Sequence, residues 1–245
     1  MRTLALTGAL LLLGAAAVRA QSAPRPYVID NNGGRIMGDE LRVNDAGDLQ
    51  LQIGGATRVF RRGSYRDAWV PKPQNVSLLE KALEQKRYDI IVKNAQKVFD
   101  EFKYVGWGGH VAYMHALALL EQGQAQQALN VLLEGEPVAG RFLEEVVKGK
   151  TEAYLALDKT AEAAKLLEKL KASESAETAA FAFKASGELL QKQGNIKEAV
   201  LEYLKIVLLF EPGRADRTRQ DAKQRAVALL KEIGDERWKV VEAMK

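Results

Sequence analysis

One segment recurs along the C-terminal two thirds of the chain and constrains the fold more than any other feature. The stretch AYMHALALLEQGQAQQALNVLL, which begins at Ala112, aligns with FKASGELLQKQGNIKEAVLEYL, which begins at Phe183. A third stretch, VKGKTEAYLALDKTAEAAKLLEKL, begins at Val147 and fits the same frame. Their turn positions are spaced roughly 35 residues apart and are occupied by Gly123, Asp158 and Gly194. The larger part of the chain is therefore predicted to consist of repeated supersecondary units.

The residues that match between the repeats have sizes that suit pairs of closely packed helices. Ala, Leu, Glu, Lys and Gln, which favour helices, dominate the chain after Ser77. Small residues recur late in the first predicted helix and early in the second, where they let two backbones approach. A glycine between the helices supplies the left-handed turn. The small positions are Ala116 and Gly187 in the first helices and Ala128 and Ala199 in the second.

These positions and this period resemble the tetratricopeptide repeat, a pair of antiparallel helices of about 34 residues. The resemblance covers roughly residues 75 to 245, and the unit from Ala180 to about Pro212 matches best. It implies a mostly α-helical fold, an α-solenoid over residues 74–245, whose concave face is lined by the first helix of each pair. Thr151 and Asp158 depart from the small residue and the glycine of the pattern. The unit that begins at Leu78 departs further and is expected to be a capping repeat.

The resemblance also predicts which side chains line the concave face. Such a surface of mixed polarity suits an extended peptide or a helix of another protein. The alternative is that these side chains only meet solvent on a spacer. The predicted groove residues are His110, Tyr113, Leu117, Glu145, Lys148, Glu152, Phe181, Lys184, Glu188 and Gln191.

Before the repeats, residues 21–73 have the pattern of a small β-structure and a hinge. Apolar residues alternate with polar ones over two runs, residues 41–43 and 49–53, which is the period of strands with one buried face. A third strand is predicted to turn Val59 or Phe60 inward. Three short strands bury too little alone, so this antiparallel β-meander is expected to rest on the helices. The segment VPKPQN, which begins at Val70, is predicted to be an extended hinge.

The first 20 residues have the features of a secretory signal peptide. Arg2 precedes a run from Leu4 to Val18 in which only Thr7 is polar, and Ala20 stands before the expected cleavage point. A membrane anchor is the alternative, but a span needs about 20 apolar residues. The mature protein is thus expected to be exported, periplasmic or outer-membrane-associated, with no membrane span after cleavage.

The sequence offers little that would support catalysis or metal binding. The chain has no cysteine, which excludes a disulfide and a thiol nucleophile. It also excludes a lipid attached through a cysteine at the expected cleavage point, where Gln21 stands. His110 and His115 stand five residues apart, whereas two ligands on one helix face need three or four. The glycine-rich NNGGRIMG lacks the lysine and the Ser/Thr of a phosphate loop. We therefore expect no catalytic residues, no metal, no cofactor and no enzymatic activity, with an envelope hydrolase kept as a remote alternative.

Two basic segments suggest a different partner. The formal net charge is +4, so the placement of the charges matters more than their sum. The segment 58–72 carries the candidate basic patch of Arg58, Arg61, Arg62 and Arg66. The segment 214–225 carries Arg214, Arg217, Arg219, Lys223 and Arg225. These segments could bind an anionic envelope polymer, whereas export makes a nucleic acid an unexpected partner.

The repeats and the predicted export together favour a scaffold function. The chain resembles periplasmic and outer-membrane-associated repeat proteins that assist envelope assembly and cell division. That resemblance implies a non-enzymatic protein of the bacterial cell envelope whose partner is another envelope protein. Because fold does not fix function, the partner and the oligomeric state stay open.

Overall fold

The computed structural model describes residues 24–211 and 216–244. The predicted signal peptide, residues 1–20, lies outside the described residues, as do Pro212 and Arg214. Within the described residues the chain is mostly helical, with a small antiparallel β-region before the helices. No helix among these residues is both long and apolar enough to span a membrane.

The β-region has two three-stranded antiparallel sheets, where the sequence predicted one meander of three strands. The strands are β1 (Tyr27–Asp30), β2 (Arg35–Met37), β3 (Glu40–Val43), β4 (Leu49–Ile53), β5 (Ala56–Phe60) and β6 (Tyr65–Trp69). The first sheet has the strand order β2-β1-β6, and the second has the order β3-β4-β5.

The predicted meander is the second sheet. Leu41 pairs with Leu51, and Leu49 pairs with Phe60, so that four apolar side chains point into the core. Phe60 is the inward residue of β5, whereas Val59 is 52% exposed. The alternation of polar and apolar residues thus predicts both the strands and the buried face.

The first sheet was not predicted, because its central contact joins distant parts of the chain. Tyr27 in β1 pairs with Trp69 in β6, and Val28 pairs with Ala68. Neither strand has a long alternating pattern. Pairing between two strands that are far apart along the chain also leaves no local signal in the sequence. Tyr65 and Trp69, which precede the predicted hinge, are the first and last residues of β6.

The second sheet rests on the helices, as predicted. Leu49, Leu51 and Phe60 share one core with Val76 of the first helix and Ile91 of the second. The segment after β6 is fixed by two hydrogen bonds: the Trp107 indole donates to the carbonyl of Val70 over 3.0 Å, and the Val70 amide donates to the carbonyl of Val105 over 3.3 Å.

The helices follow one another as packed neighbours, and each α-helix of the described residues contacts the next one along the chain. The α-helices are α1 (Gln74–Glu84), α2 (Tyr88–Phe102), α3 (Gly108–Glu121), α4 (Ala125–Gly135), α5 (Leu143–Ala156), α6 (Thr160–Lys171), α7 (Ala176–Lys192), α8 (Ile196–Leu209), α9 (Asp216–Glu232) and α10 (Trp238–Ala243). In addition to these sequential contacts, α3 contacts both α1 and α5, and α7 contacts α9. Two short 3-10 helices, Glu136–Val138 and Gly140–Phe142, precede α5.

The turns inside the helix pairs share one backbone feature. At each of them a residue has positive φ, which costs glycine little and other residues more. The predicted turn residues have this conformation: φ is 74° at Gly123, 55° at Asp158 and 79° at Gly194. Asp158 therefore adopts the left-handed backbone conformation that glycine favours.

Close approach within the helix pairs is clearest between α7 and α8. A methyl group added at Gly187 would lie 2.7 Å from Cε1 of the fully buried Tyr203. In the α3–α4 pair the matching residues are Ala116 and Leu132, both fully buried. The pair with the larger residue in its second helix, Tyr203 instead of Leu132, thus has the smaller residue in its first helix, Gly187 instead of Ala116.

This complementarity predicts the outcome of one substitution. Gly187→Ala should lower the free energy of unfolding by about 1–3 kcal/mol, because the new methyl group overlaps the Tyr203 ring. In a Tyr203→Leu background, which copies the Ala116 and Leu132 pair, the same substitution should cost much less. Urea unfolding of the four variants of this cycle measures both costs. Equal costs in the two backgrounds would contradict the close contact.

Candidate functional site

The side of the structure that carries the alternate helices α1, α3, α5, α7 and α9 is here called the first-helix face. Contacts join α1 to α3, α3 to α5 and α7 to α9, and Lys148 of α5 lies over the ring of Phe181 of α7. All ten predicted groove residues belong to α3, α5 or α7. Nine of them are half-buried, and Gln191 is exposed. Contacts between neighbouring first helices also bring in three residues outside the predicted groove, namely Glu80, Asp221 and Arg225. Of these, Arg225 was assigned from the sequence only to the second basic segment.

His110 links three helices at one end of this face. Its Nδ1 lies 2.6 Å from Oε2 of Glu145 on α5, and its Nε2 lies 3.1 Å from Oε1 of Glu80 on α1. The Lys72 ammonium lies 2.9 Å from each carboxylate oxygen of Glu80. Carboxylates only accept hydrogen bonds, so this arrangement favours the doubly protonated imidazolium.

These contacts shift the pKa values of both partners. Burial lowers the pKa of His110, but the hydrogen bonds and charges of Glu145 and Glu80 outweigh burial and raise it above its ordinary 6.5. Burial raises the pKa of Glu80, but hydrogen bonds from Lys72 and His110 outweigh this and hold it below its ordinary 4.5. The link between α1, α3 and α5 is thus strongest when His110 is charged and Glu80 is ionised.

The His110 cluster is not arranged as a metal site. Its two carboxylates contact different nitrogens of one ring and therefore lie on opposite sides of the imidazole. No group of three or more ligands suited to a metal ion occurs among the described residues.

In the middle of the first-helix face, Tyr113, Lys148 and Glu152 lie close together, with the carboxylates of Glu121 and Glu145 near them. Burial raises the pKa of Glu152 to about 7, a shift that Lys148 opposes and the charge of Glu121 reinforces. Burial also raises the pKa of Tyr113, as do the charges of Glu152 and Glu145. The Lys148 ammonium lies 4.9 Å from the ring centroid of Phe181 on α7, which joins α5 to the next first helix.

Charged pairs extend the face from α7 to α9. Lys184 lies 2.9 Å from Asp221, and Arg225 lies 3.2 Å from Glu188 and 3.0 Å from Asp221. Burial raises the pKa of Asp221, but hydrogen bonds from Lys184 and Arg225 outweigh it and hold the pKa below its ordinary value. Gln191 accepts a hydrogen bond of 3.4 Å from the Tyr203 hydroxyl.

The candidate basic patch is spread over two sheets. Arg58 lies in β5 and Arg66 in β6, while Arg61 and Arg62 lie in the turn between them, and all four are exposed. The guanidinium of Arg58 lies 4.8 Å from the ring centroid of Phe60, and that of Arg62 lies 4.8 Å from the ring centroid of Tyr104. Two of the four arginines therefore cover aromatic rings, as long basic side chains do.

Several cations of the second basic segment hold the helices together. Arg219 donates to the carbonyl of Val207 over 3.2 Å, and Lys223 donates to the carbonyl of Met244. Arg225 is paired with the carboxylates of Asp221 and Glu188. This segment therefore presents less free positive charge than its sequence indicates.

Comparison with models of known protein families and with curated proteins returned no match for this chain.

The two histidines of α3 predict opposite pH dependence. Because the pKa of His110 is raised, its stabilisation is fully present below 6.5 and is lost as the pH rises through the raised value. The contribution of Glu80 is present above 4.5 and is lost as the pH falls through the lowered value. His110→Gln should therefore lower the free energy of unfolding by about 1 kcal/mol, most strongly between these two pH values.

His115→Gln is the matched control for this experiment. Burial lowers the pKa of His115, so its neutral form stabilises the fold above 6.5, and this contribution declines as the pH falls. Urea unfolding from pH 5 to pH 8 compares the two variants. A loss for His110→Gln that grows with rising pH would contradict the bridge to the two carboxylates.

Glu152→Gln should make the protein more stable at alkaline pH. The raised pKa of Glu152 means that its ionisation destabilises the fold as the pH rises from 4.5 through about 7. The gain at pH 8 should be about 1–2 kcal/mol, after allowance for solvent screening of a half-buried group, and should vanish near pH 4.5. Thermal unfolding at the two pH values measures it, with exposed Glu162→Gln as the control. A loss of stability at pH 8 would contradict the shift.

Proposed function

We propose that this chain is a non-enzymatic protein-binding or scaffold protein of the bacterial cell envelope. Its helix pairs form a tetratricopeptide-like α-solenoid, and the first-helix face is the concave surface that holds the partner. The packing of each helix on the next and the contacts between alternate helices support this arrangement. The partner is an extended segment or a helix of another protein.

One observation carries this proposal. The first-helix face presents half-buried side chains of different chemistry in a continuous row over α3, α5 and α7. Aromatic, apolar and both kinds of charged side chain alternate along it, for example Tyr113, Leu117, Lys148 and Glu152. Partly desolvated polar groups beside apolar contacts give a peptide both affinity and register. A spacer would not need such a row.

Export is the second part of the proposal. It rests on the apolar run from Leu4 to Val18 with small residues before the cleavage point. Cell fractionation and N-terminal sequencing test it, and a mature chain that begins at Gln21 in the periplasmic fraction is the expected result. A cytoplasmic chain with residues 1 to 20 intact would overturn export.

The binding face itself is tested by site-specific cross-linking in the native envelope. A photoreactive amino acid at Leu117 or Gln191 should form cross-links to a partner protein, because both positions belong to the first-helix face. The same group at Lys165 or Lys169, which are exposed on α6, is the control and should give none.

A charge-reversal pair sharpens the same experiment. Lys148→Glu with Lys184→Glu should reduce the cross-linking yield from Leu117 about tenfold. Lys165→Glu with Lys169→Glu makes the same change of charge on α6 and should leave the yield unchanged. Equal yields from both helix surfaces, or a larger loss with the α6 pair, would place the binding surface elsewhere.

Binding of an anionic envelope polymer is the second candidate. It is favoured by the four exposed arginines Arg58, Arg61, Arg62 and Arg66. With polyphosphate as the probe, log K should fall with log salt by about 0.7–0.9 for each phosphate neutralised. Changing all four arginines to glutamine should abolish this dependence, and an unchanged slope would remove this candidate.

A further inference from the structure

A shallow, open cleft lies on the first-helix face between the ends of two helices. Its cavity volume is about 460 Å³. Leu117, Leu120 and Glu121 line it from α3, and Glu152 and Ala156 line it from α5. α3 ends at Glu121 and α5 ends at Ala156, so the cleft lies at two helix C-termini.

The cleft concentrates negative potential. Glu121 and Glu152 both line it, and no hydrogen bond or ion pair joins either carboxylate to a cation within the described residues. The last turns of α3 and α5 contain no basic residue. Each helix C-terminus adds about half a negative charge from the aligned peptide dipoles. Two carboxylates and two uncompensated helix ends thus act on one small volume.

The two lysines of α5 do not neutralise this volume, and Lys150 is paired with Glu136 over 2.7 Å. Lys148 lies one turn before Glu152 and lowers its pKa, but burial and the charge of Glu121 prevail and the pKa is raised. The Lys148 ammonium instead lies 4.9 Å from the ring centroid of Phe181. A cation that entered the cleft would relieve the cost of the ionised Glu152 carboxylate.

The other walls of the cleft are apolar and determine the kind of cation. Leu117, Leu120 and Ala156 offer hydrocarbon surface beside the two carboxylates. A hydrated metal ion gains nothing from such walls. The side chains of lysine and arginine combine a long apolar stem with a charged head, and both parts find a matching surface here.

We propose that this cleft, here called the acidic cleft, receives one lysine or arginine side chain of the protein segment bound on the first-helix face. The stem lies against Leu117 and Leu120, and the charged head lies between Glu121 and Glu152. This inference rests on the proposed function, since it identifies the chemistry that the face recognises in its partner. It predicts that the partner segment has a basic residue at one fixed position.

The experiment uses a displayed library of short random peptides selected on the full mature chain. Peptides that bind the wild type should share a lysine or arginine at one position. A synthetic peptide from this selection is then compared with its norleucine analogue, which keeps the stem of lysine and removes its charge. The wild type should bind the parent peptide at least about tenfold more tightly.

Two variants assign this preference to the acidic cleft. The variant with Glu121→Gln and Glu152→Gln should bind the parent peptide about tenfold more weakly than the wild type does. It should bind the parent and norleucine peptides with equal affinity. Glu162→Gln with Glu198→Gln removes two exposed carboxylates of α6 and α8 and should bind like the wild type. Thermal unfolding verifies that both variants are folded.

The outcomes separate this inference from the proposed function. Selected peptides that bind the face without a shared basic residue would overturn the inference and leave the proposed function standing. A norleucine peptide that binds as tightly as its parent, or equal weakening of both peptides by the glutamine variants, would overturn it in the same way. If the selected peptides form no cross-link to a photoreactive amino acid at Leu117 or Gln191, they bind outside the first-helix face and both proposals are wrong.

Discussion

The close approach of the two helices within each pair is the constraint on which the rest of the structure depends. It requires a residue with positive φ at the turn, such as Gly123 or Gly194, and small residues where the backbones meet. At Gly187 the Tyr203 ring of the facing helix fills the space that a methyl group would need. When these pairs pack on each other, first helices become neighbours on the first-helix face, as in the contacts of α3 with α1 and α5 and of α7 with α9.

The side chains on that surface join the alternate helices directly. His110 bridges carboxylates of α1 and α5, Lys148 lies over Phe181 of α7, and Lys184 pairs with Asp221 of α9. These contacts are polar and only half-buried, so each adds little stability compared with the apolar cores between the pairs. Their main effect is to position side chains, because they hold groups of different chemistry in a fixed order on the surface proposed to bind the partner.

The sequence predicts what is local and periodic, and it misses what is distant. Repeat spacing identifies the helix pairs and their left-handed turns, and alternation identifies the sheet with Leu49 and Phe60. The pairing of Tyr27 with Trp69 brings together strands with no common pattern, so the first sheet was missed. The predicted groove residues lie together, but Glu80 and the partners on α9 were missed because they belong to units whose sequences depart from the repeat.

An extended array of helix pairs and a closed helical bundle differ in the distance between their first and last units. The chain has no native cysteine, so spin labels can be attached at two introduced cysteines without interference. The exposed positions Leu78 on α1, Lys165 on α6 and Gln224 on α9 serve as label sites. Electron spin resonance should give a clearly longer distance for residues 78 and 224 than for residues 78 and 165. Equal distances, or a shorter one for 78 and 224, would indicate a closed helical bundle and contradict a continuous first-helix face.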